Sequence, residues 1–192
     1  MKNIWKHFKK ICIHKYWVGY YCFKAGIPLR GILHDLSKFS PTEFIESIKF
    51  YRGDRSPIDA CKEERGWSKA WQHHKGRNRH HYEYYYDNID NGGNPIPMPY
   101  NDAVEMLCDY LGAGRAYMEK SFTYQKELEW WENKISKPVA MHPSTFNFID
   151  YMLQSLASQE KLYGTKRAIS ILEIIEGVYW EKNEGNKGFY IL

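Results

Sequence analysis

The stretch VEMLCDYLGA, residues 104–113, constrains the fold more than any other part of the chain. Val104, Met106, Leu107, Cys108, Leu111 and Ala113 put apolar groups nearly all round a helical turn, which predicts a helix from about Asp102 to Lys120 that is buried on most sides. Such a helix needs other helices around it. Asp109 falls at its middle, and an unpaired carboxylate in that position is very costly to bury. A metal ion is one partner that removes the cost; Arg115 or a tyrosine hydroxyl is another.

The rest of the chain supplies the surrounding helices. From about Asn3 to Ala25, the residues Ile4, Phe8, Ile11, Val18 and Cys22 recur at the helical period, and His14 lies within about 40° of Val18 on that stripe, so it points inward. Gly26 stops this helix and Pro28 starts the next, which runs to about Lys38. Ser40, Pro41 and Glu43 form a capping box for a third helix to Tyr51; capping alone accounts for Glu43, with a metal- or water-orienting role as the other reading. RGDRSP, residues 52–57, is a loop whose two arginines can lean over a pocket, followed by a short helix from Asp59 to Arg65.

Residues 87–99, DNIDNGGNPIPMP, read as an irregular loop able to act as a lid. Asn101 or Asp102 caps the central helix, Asp102 pairing with Glu105 in a second capping pattern. Three further helices are predicted: Tyr124 to Ile135, Ser144 to Tyr163 and Thr165 to Glu181. His142 is read as structural, at the start of the second of these, and Phe189 to Leu192 as a tail that docks or hangs loose. With no useful strand alternation, no repeat and no dividing linker, the prediction is an all-α fold, one helical domain over residues 1–192.

Composition narrows the function class. The 192 residues are 43% hydrophobic and 17% aromatic, which excludes a disordered chain. Cys12, Cys22, Cys61 and Cys108 form no CxxC pair and suit reduced thiols in a cytoplasmic protein. The basic start MKNIWKHFKK lacks a cleavage site, and His14, Lys15 and Lys24 interrupt its apolar run, so neither a leader nor a membrane span is expected. A net charge of +4 favours phosphate-bearing ligands without requiring nucleic acid.

Two segments carry the chemistry. GILHDLSKFSPTEF, residues 31–44, places His34 beside Asp35, three residues before Lys38; imidazole and carboxylate are both ligands for divalent metals. WSKAWQHHKGRNRHHYEYYY, residues 67–86, holds four histidines within nine residues. Trp67, Trp71, His74, Asn78, His81 and Tyr85 share one helical row, and His73, Arg77 and His80 form the adjacent one. His74 and one of His80 and His81 are expected to face inward as metal ligands, with a break at Gly76 deciding which.

The order His14, His34-Asp35, Asp109 on successive helices resembles the signature of the HD-domain superfamily of metal-dependent phosphohydrolases, and HDLSK, residues 34–38, is similar to the HD-x-x-K form of several of its branches. The likeness covers about residues 10–120 and leaves the helices over about 121–182 as additions to an HD-type bundle. HDLSKFSP followed by RNRHH also resembles a small family of uncharacterised bacterial and phage proteins. The superfamily likeness implies one divalent ion on His14, His34, Asp35 and Asp109. It implies a second, bridged by Asp35, on His74 with His80 or His81. The metal is expected among manganese, iron, nickel, cobalt, zinc and magnesium. Asp35 and Lys38 would serve catalysis, and Lys38, Arg77 and Arg79 would meet the phosphate; the other reading of Lys38 is a solvated residue ending the helix. Trp67, Trp71, Tyr82 and Tyr84 are either core or stacking surfaces for a base. The implied activity is hydrolysis of a nucleotide or another phosphate ester or diester; a nucleic acid is a further candidate substrate. The alternatives are a di-iron HD-type oxygenase and a non-catalytic nucleotide-binding protein.

Overall fold

The computed structural model describes residues 2–184, and its fold is all-α apart from one small ribbon. The long helix α1 spans Lys2–Lys24, and Gly26 at φ 78° ends its last turn. The expected stripe is buried from Ile11 onward through His14, Val18 and Cys22, whereas Ile4 and Phe8 are exposed. Pro28 opens α2, Pro28–Leu33, which is shorter than expected. The predicted helix to Lys38 is interrupted because His34 is extended (φ −48°, ψ 129°) and Asp35 is left-handed (φ 53°, ψ 30°). A non-glycine residue adopts that conformation at a cost, and the cost is met where the side chain is needed in one direction. A 3-10 turn, Leu36–Phe39, follows.

Next come α3 (Pro41–Phe50), α4 (Pro57–Arg65) and α5 (Lys69–Lys75). Ser40 caps α3 by accepting from Glu43 N–H, as the capping pattern requires. The reciprocal half is missing, because the Ser40 N–H goes to Ser37 O and leaves the Glu43 carboxylate free for another use. The helical row predicted from Trp67 to Tyr85 is broken at Gly76, so residues 76–85 follow an irregular path and Trp67 is exposed. The Asn/Gly/Pro-rich segment is more regular than expected: Tyr86–Asp87 (β1) pairs antiparallel with Asn94–Pro95 (β2) around a 3-10 turn.

The central helix α6 is Tyr100–Met118, and residues 102–109 are all buried. Neither Asn101 nor Asp102 caps it. Pro99 occupies the cap position and Asp102 is drawn into ion pairs instead. Helices α7 (Tyr124–Ile135) and α8 (Pro143–Tyr163) follow the predicted bounds, with His142 capping α8 through the Ser144 N–H. The last predicted helix is divided into α9 (Thr165–Ala168), a 3-10 segment Ile169–Ile174 and α10 (Ile175–Lys182). The predicted docking of Phe189 to Leu192 lies outside the described residues.

One core runs through these helices, joining Val18 and Cys22 of α1 to Leu107 and Leu111 of α6, Trp131 of α7 and Phe148 and Met152 of α8. Helices α1 and α6 approach closely at Gly112, which leaves room for Val18. A Cβ added to Gly112 would stand 2.4 Å from Val18 Cγ2 and 3.0 Å from Val18 N. Among the described residues no helix is long and apolar enough to cross a membrane.

Candidate metal centre

Four separate segments deliver the polar residues to one buried point. Helix α1 contributes His14, the broken turn after α2 contributes His34 and Asp35, α5 with the irregular segment after it contributes His74, His80 and His81, and α6 contributes Asp109. The left-handed turn explains how neighbours 34 and 35 face the same way. On a continuous helix they would diverge by about 100°.

Three donor groups meet there: His14, His34, Asp35 and Asp109; Asp35, His74, His80 and His81, which shares Asp35 with the first; and His34, His80 and Glu105. In the first, His14 Nε2 is 3.0 Å from Asp109 Oδ1 and 3.3 Å from His34 Nε2. His34 Nε2 is also 3.1 Å from Asp35 Oδ2. In the second, His74 Nε2 and His80 Nε2 are 3.2 and 3.4 Å from Asp35 Oδ1. The two oxygens of Asp35 thus face different groups. Donors bound at about 2.0–2.2 Å to one ion sit about 3 to 3.5 Å from each other, so these spacings suit divalent ions. Asp35 Oδ1, His80 Nε2 and His81 Nε2 are buried with no hydrogen-bond partner among the described residues. A metal ion is the partner that imidazole nitrogens and carboxylate oxygens share, so these buried groups could hold one.

Two further carboxylates, Glu105 of the third group and Glu43 outside all three, fix the rings. Glu105 Oε1 accepts from His34 Nδ1 at 2.9 Å and lies 3.1 Å from His80 Nδ1. Glu43 accepts from His73 Nδ1 at 2.6 Å and from His74 Nδ1 at 2.7 Å. A carboxylate can only accept, so Nδ1 carries a proton and Nε2 is the ring atom that His34, His74 and His80 turn toward Asp35. Glu43 therefore does more than cap a helix.

The electrostatics match an acid-rich, cation-seeking site. Burial opposes charge on His34, but Asp35, Asp109 and Glu105 outweigh it and hold this imidazole well above its usual range. His74 is pushed up to about 9 against its own burial, chiefly by Asp35 and Glu43. Burial would raise the Asp35 carboxyl, yet His34, Lys38 and His74 keep it well below the usual carboxylate range. Asp109 is likewise held low, against burial, by His14 and His34. His81 is the exception: burial and its neighbours His80 and His74 keep it neutral.

A cavity of about 520 Å³ opens above the cluster, lined by His14, His74, His81 and Asp109. Lys38 joins this wall, with Nζ 2.5 Å from Asp35 Oδ2. Lys62 and Arg55 line it too, and Arg55 pairs with Glu63 at 2.5 Å. Arg77 is exposed, and Arg79 holds Tyr85 Oη at 3.3 Å and Asp102 at 3.4 Å; neither lines the cavity. Of the four aromatics singled out for stacking, Trp71 and Tyr82 line the cavity, while Trp67 and Tyr84 are exposed elsewhere.

Glu105 was legible only as half of a capping pattern with Asp102. The overlooked signal is the run Asp102, Glu105, Asp109 at spacings of three and four, which puts three acids on one face of a helix otherwise apolar. Asp102 and Glu105 share Arg30, the latter at 3.1 Å.

Comparison with curated proteins and with solved structures found no match. The family model for DUF5662, a family of unknown function, matches residues 3–155, from α1 into α8 and across every segment of the centre, and the chain belongs to that family.

Proposed function

We propose that this protein is a metal-dependent phosphohydrolase of HD type, acting on a nucleotide or another phosphate ester. The observation that carries the reading is Asp35, set between two nitrogen-rich donor groups whose His14, His74, His81 and Asp109 line a cavity walled by Lys38, Lys62 and Arg55. His14, His34, Asp35 and Asp109 would hold one divalent ion, and Asp35, His74, His80 and His81 a second. Metal bound there supplies a water of lowered pKa and neutralises charge on phosphoryl oxygens. Glu43 and Glu105 hold the ligand rings in the required tautomer. Lys38, ion-paired to Asp35 at the cavity wall, is placed to meet a phosphate oxygen, with Lys62 and Arg55 adding positive charge to the same space. The lysines favour phosphate over the oxygenase alternative, which would use the same ligands.

The test is elemental analysis of purified wild type beside Asp35→Ala, followed by a panel of nucleotides and phosphodiesters with the metal found. One to two equivalents of metal, lost in the variant together with all turnover while the helical circular dichroism persists, is the expected result. Turnover that is unchanged in Asp35→Ala would sink the proposal. Activity requiring iron and O₂ on a non-phosphorylated substrate would replace it with the oxygenase.

A further inference from the structure

We infer that Glu127 of α7 recognises the non-phosphate part of the ligand, hydrogen-bonding an aromatic heterocycle that carries a donor beside an acceptor. The inference rests on reading the cavity as the substrate site and names the group that selects the substrate there.

Glu127 is 2% exposed, yet it lines the cavity, and its Oε2 is buried with no hydrogen-bond partner among the described residues. A buried carboxyl oxygen in that condition has given up its hydrogen bonds to water without replacement, a loss that folding alone does not repay. Room for it is made by glycine. A Cβ on Gly114 of α6 would stand 1.8 Å from Glu127 Oε2, so the carboxyl fills the space where any other residue would carry a side chain. Gly114 lies five residues beyond Asp109, roughly 7.5 Å along the helix axis. It also lies about 140° round the helix from Asp109, and since both residues line the cavity the carboxyl faces that space away from the donor cluster.

The surroundings specify the chemistry of the occupant. Residues 127, 130 and 134 recur at spacings of three and four, so one face of α7 offers Glu127, Trp130 and Lys134, and all three line the cavity. Tyr110 lies with its ring 5.1 Å from that of Trp130, and Lys134 stands over Tyr82, Tyr110 and Trp130 at 5.4 to 6.0 Å. Flat π faces beside a hydrogen-bonding group suit a planar heterocycle better than a sugar or an alkyl chain. Burial, with Asp109 adding to it, pushes the Glu127 carboxyl up to about 8. Protonated at neutral pH, it offers one donor and one acceptor side by side.

The experiment measures binding of adenosine, guanosine, cytidine, uridine and, separately, inorganic phosphate to Mn²⁺-loaded wild type, Glu127→Gln and Glu127→Ala by calorimetry. At least one nucleoside should bind to wild type, tenfold or more weakly to Glu127→Ala and within threefold to Glu127→Gln, whose amide keeps a donor beside an acceptor. No nucleoside binding, or affinities within twofold in Glu127→Ala, would overturn the inference. Equal losses in both variants would also overturn it, since an ionised carboxylate would then be the recognising group. Phosphate should bind all three proteins alike. Nucleoside binding through Glu127 without phosphate binding would remove the phosphohydrolase reading and leave the recognition by Glu127 in place.

Discussion

Helix α6 has two sides that solve burial in opposite ways. Val104, Leu107 and Leu111 join Phe148 and Met152 in an apolar core. Asp102, Glu105 and Asp109, on another face, are equally removed from water but lie among Arg30 and the histidines. On the apolar side α7 and α8 are uninterrupted, and the change of helix type at the 3-10 segment Ile169–Ile174 still packs Leu172 into the core. On the polar side the backbone breaks at Asp35 and after Gly76. Apolar contact is non-directional, so a helix satisfies it with whichever residues fall on the stripe. Ion pairs and metal ligation demand particular atoms at particular angles, and the chain leaves regular structure to deliver them.

If the two sides are separable, damage to one should spare the other. Phe148→Ala, at a site with no exposed surface, should lower unfolding free energy by about 3–5 kcal/mol in denaturant titration while the metal content of the folded protein is retained. Parallel loss of metal would show that the apolar core also sets the centre. Glu105→Gln should do the reverse. By removing the carboxylate shared by His34 and His80, it is expected to weaken metal binding by about 10- to 100-fold, or about 1.4–2.7 kcal/mol in a chelator competition, with circular dichroism unchanged. Unaltered affinity would make Glu105 a purely structural acid.

Glu127 lines the cavity from α7, and pH sharpens the contrast there. Its carboxyl titrates at about 8 in the fold against 4.5 ordinarily, so between those values the folded chain keeps a proton that the unfolded chain releases. Wild type therefore loses stability from this group as pH rises through that window, by up to roughly 1.4 kcal/mol per pH unit. Glu127→Gln does not titrate. In chelator-treated protein its stability relative to wild type should climb from pH 4.5 to pH 8 and then level off; a difference that stays flat across the window would place an ionised carboxylate in the cavity.

The same division explains what the residues disclosed in advance. Periodicity located α1, α3, α7 and α8 and turned His14 inward, because burial of apolar stripes follows residue spacing directly. It misplaced the helix through His34 and Asp35, and it extended a helical row across Gly76 that the chain abandons. Glu43 and Asp102 show why acids mislead. A capping box and a buried ion pair use the same letters, and the choice depends on His73, His74 and Arg30, which are distant in sequence. Glu127 gave no local sign at all, since its distinction lies in facing a glycine on another helix.

That reliance on absent side chains recurs at Gly112, where α6 rests on Val18 of α1. Val18 is one turn from His14, and Gly112 is just under one turn from Asp109. The gap between His14 and Asp109 is thus gauged by Val18, its side chain and backbone both set against a glycine. A single methyl at position 112 would act as a shim, widening the caliper that spaces His14 from Asp109 without touching either residue.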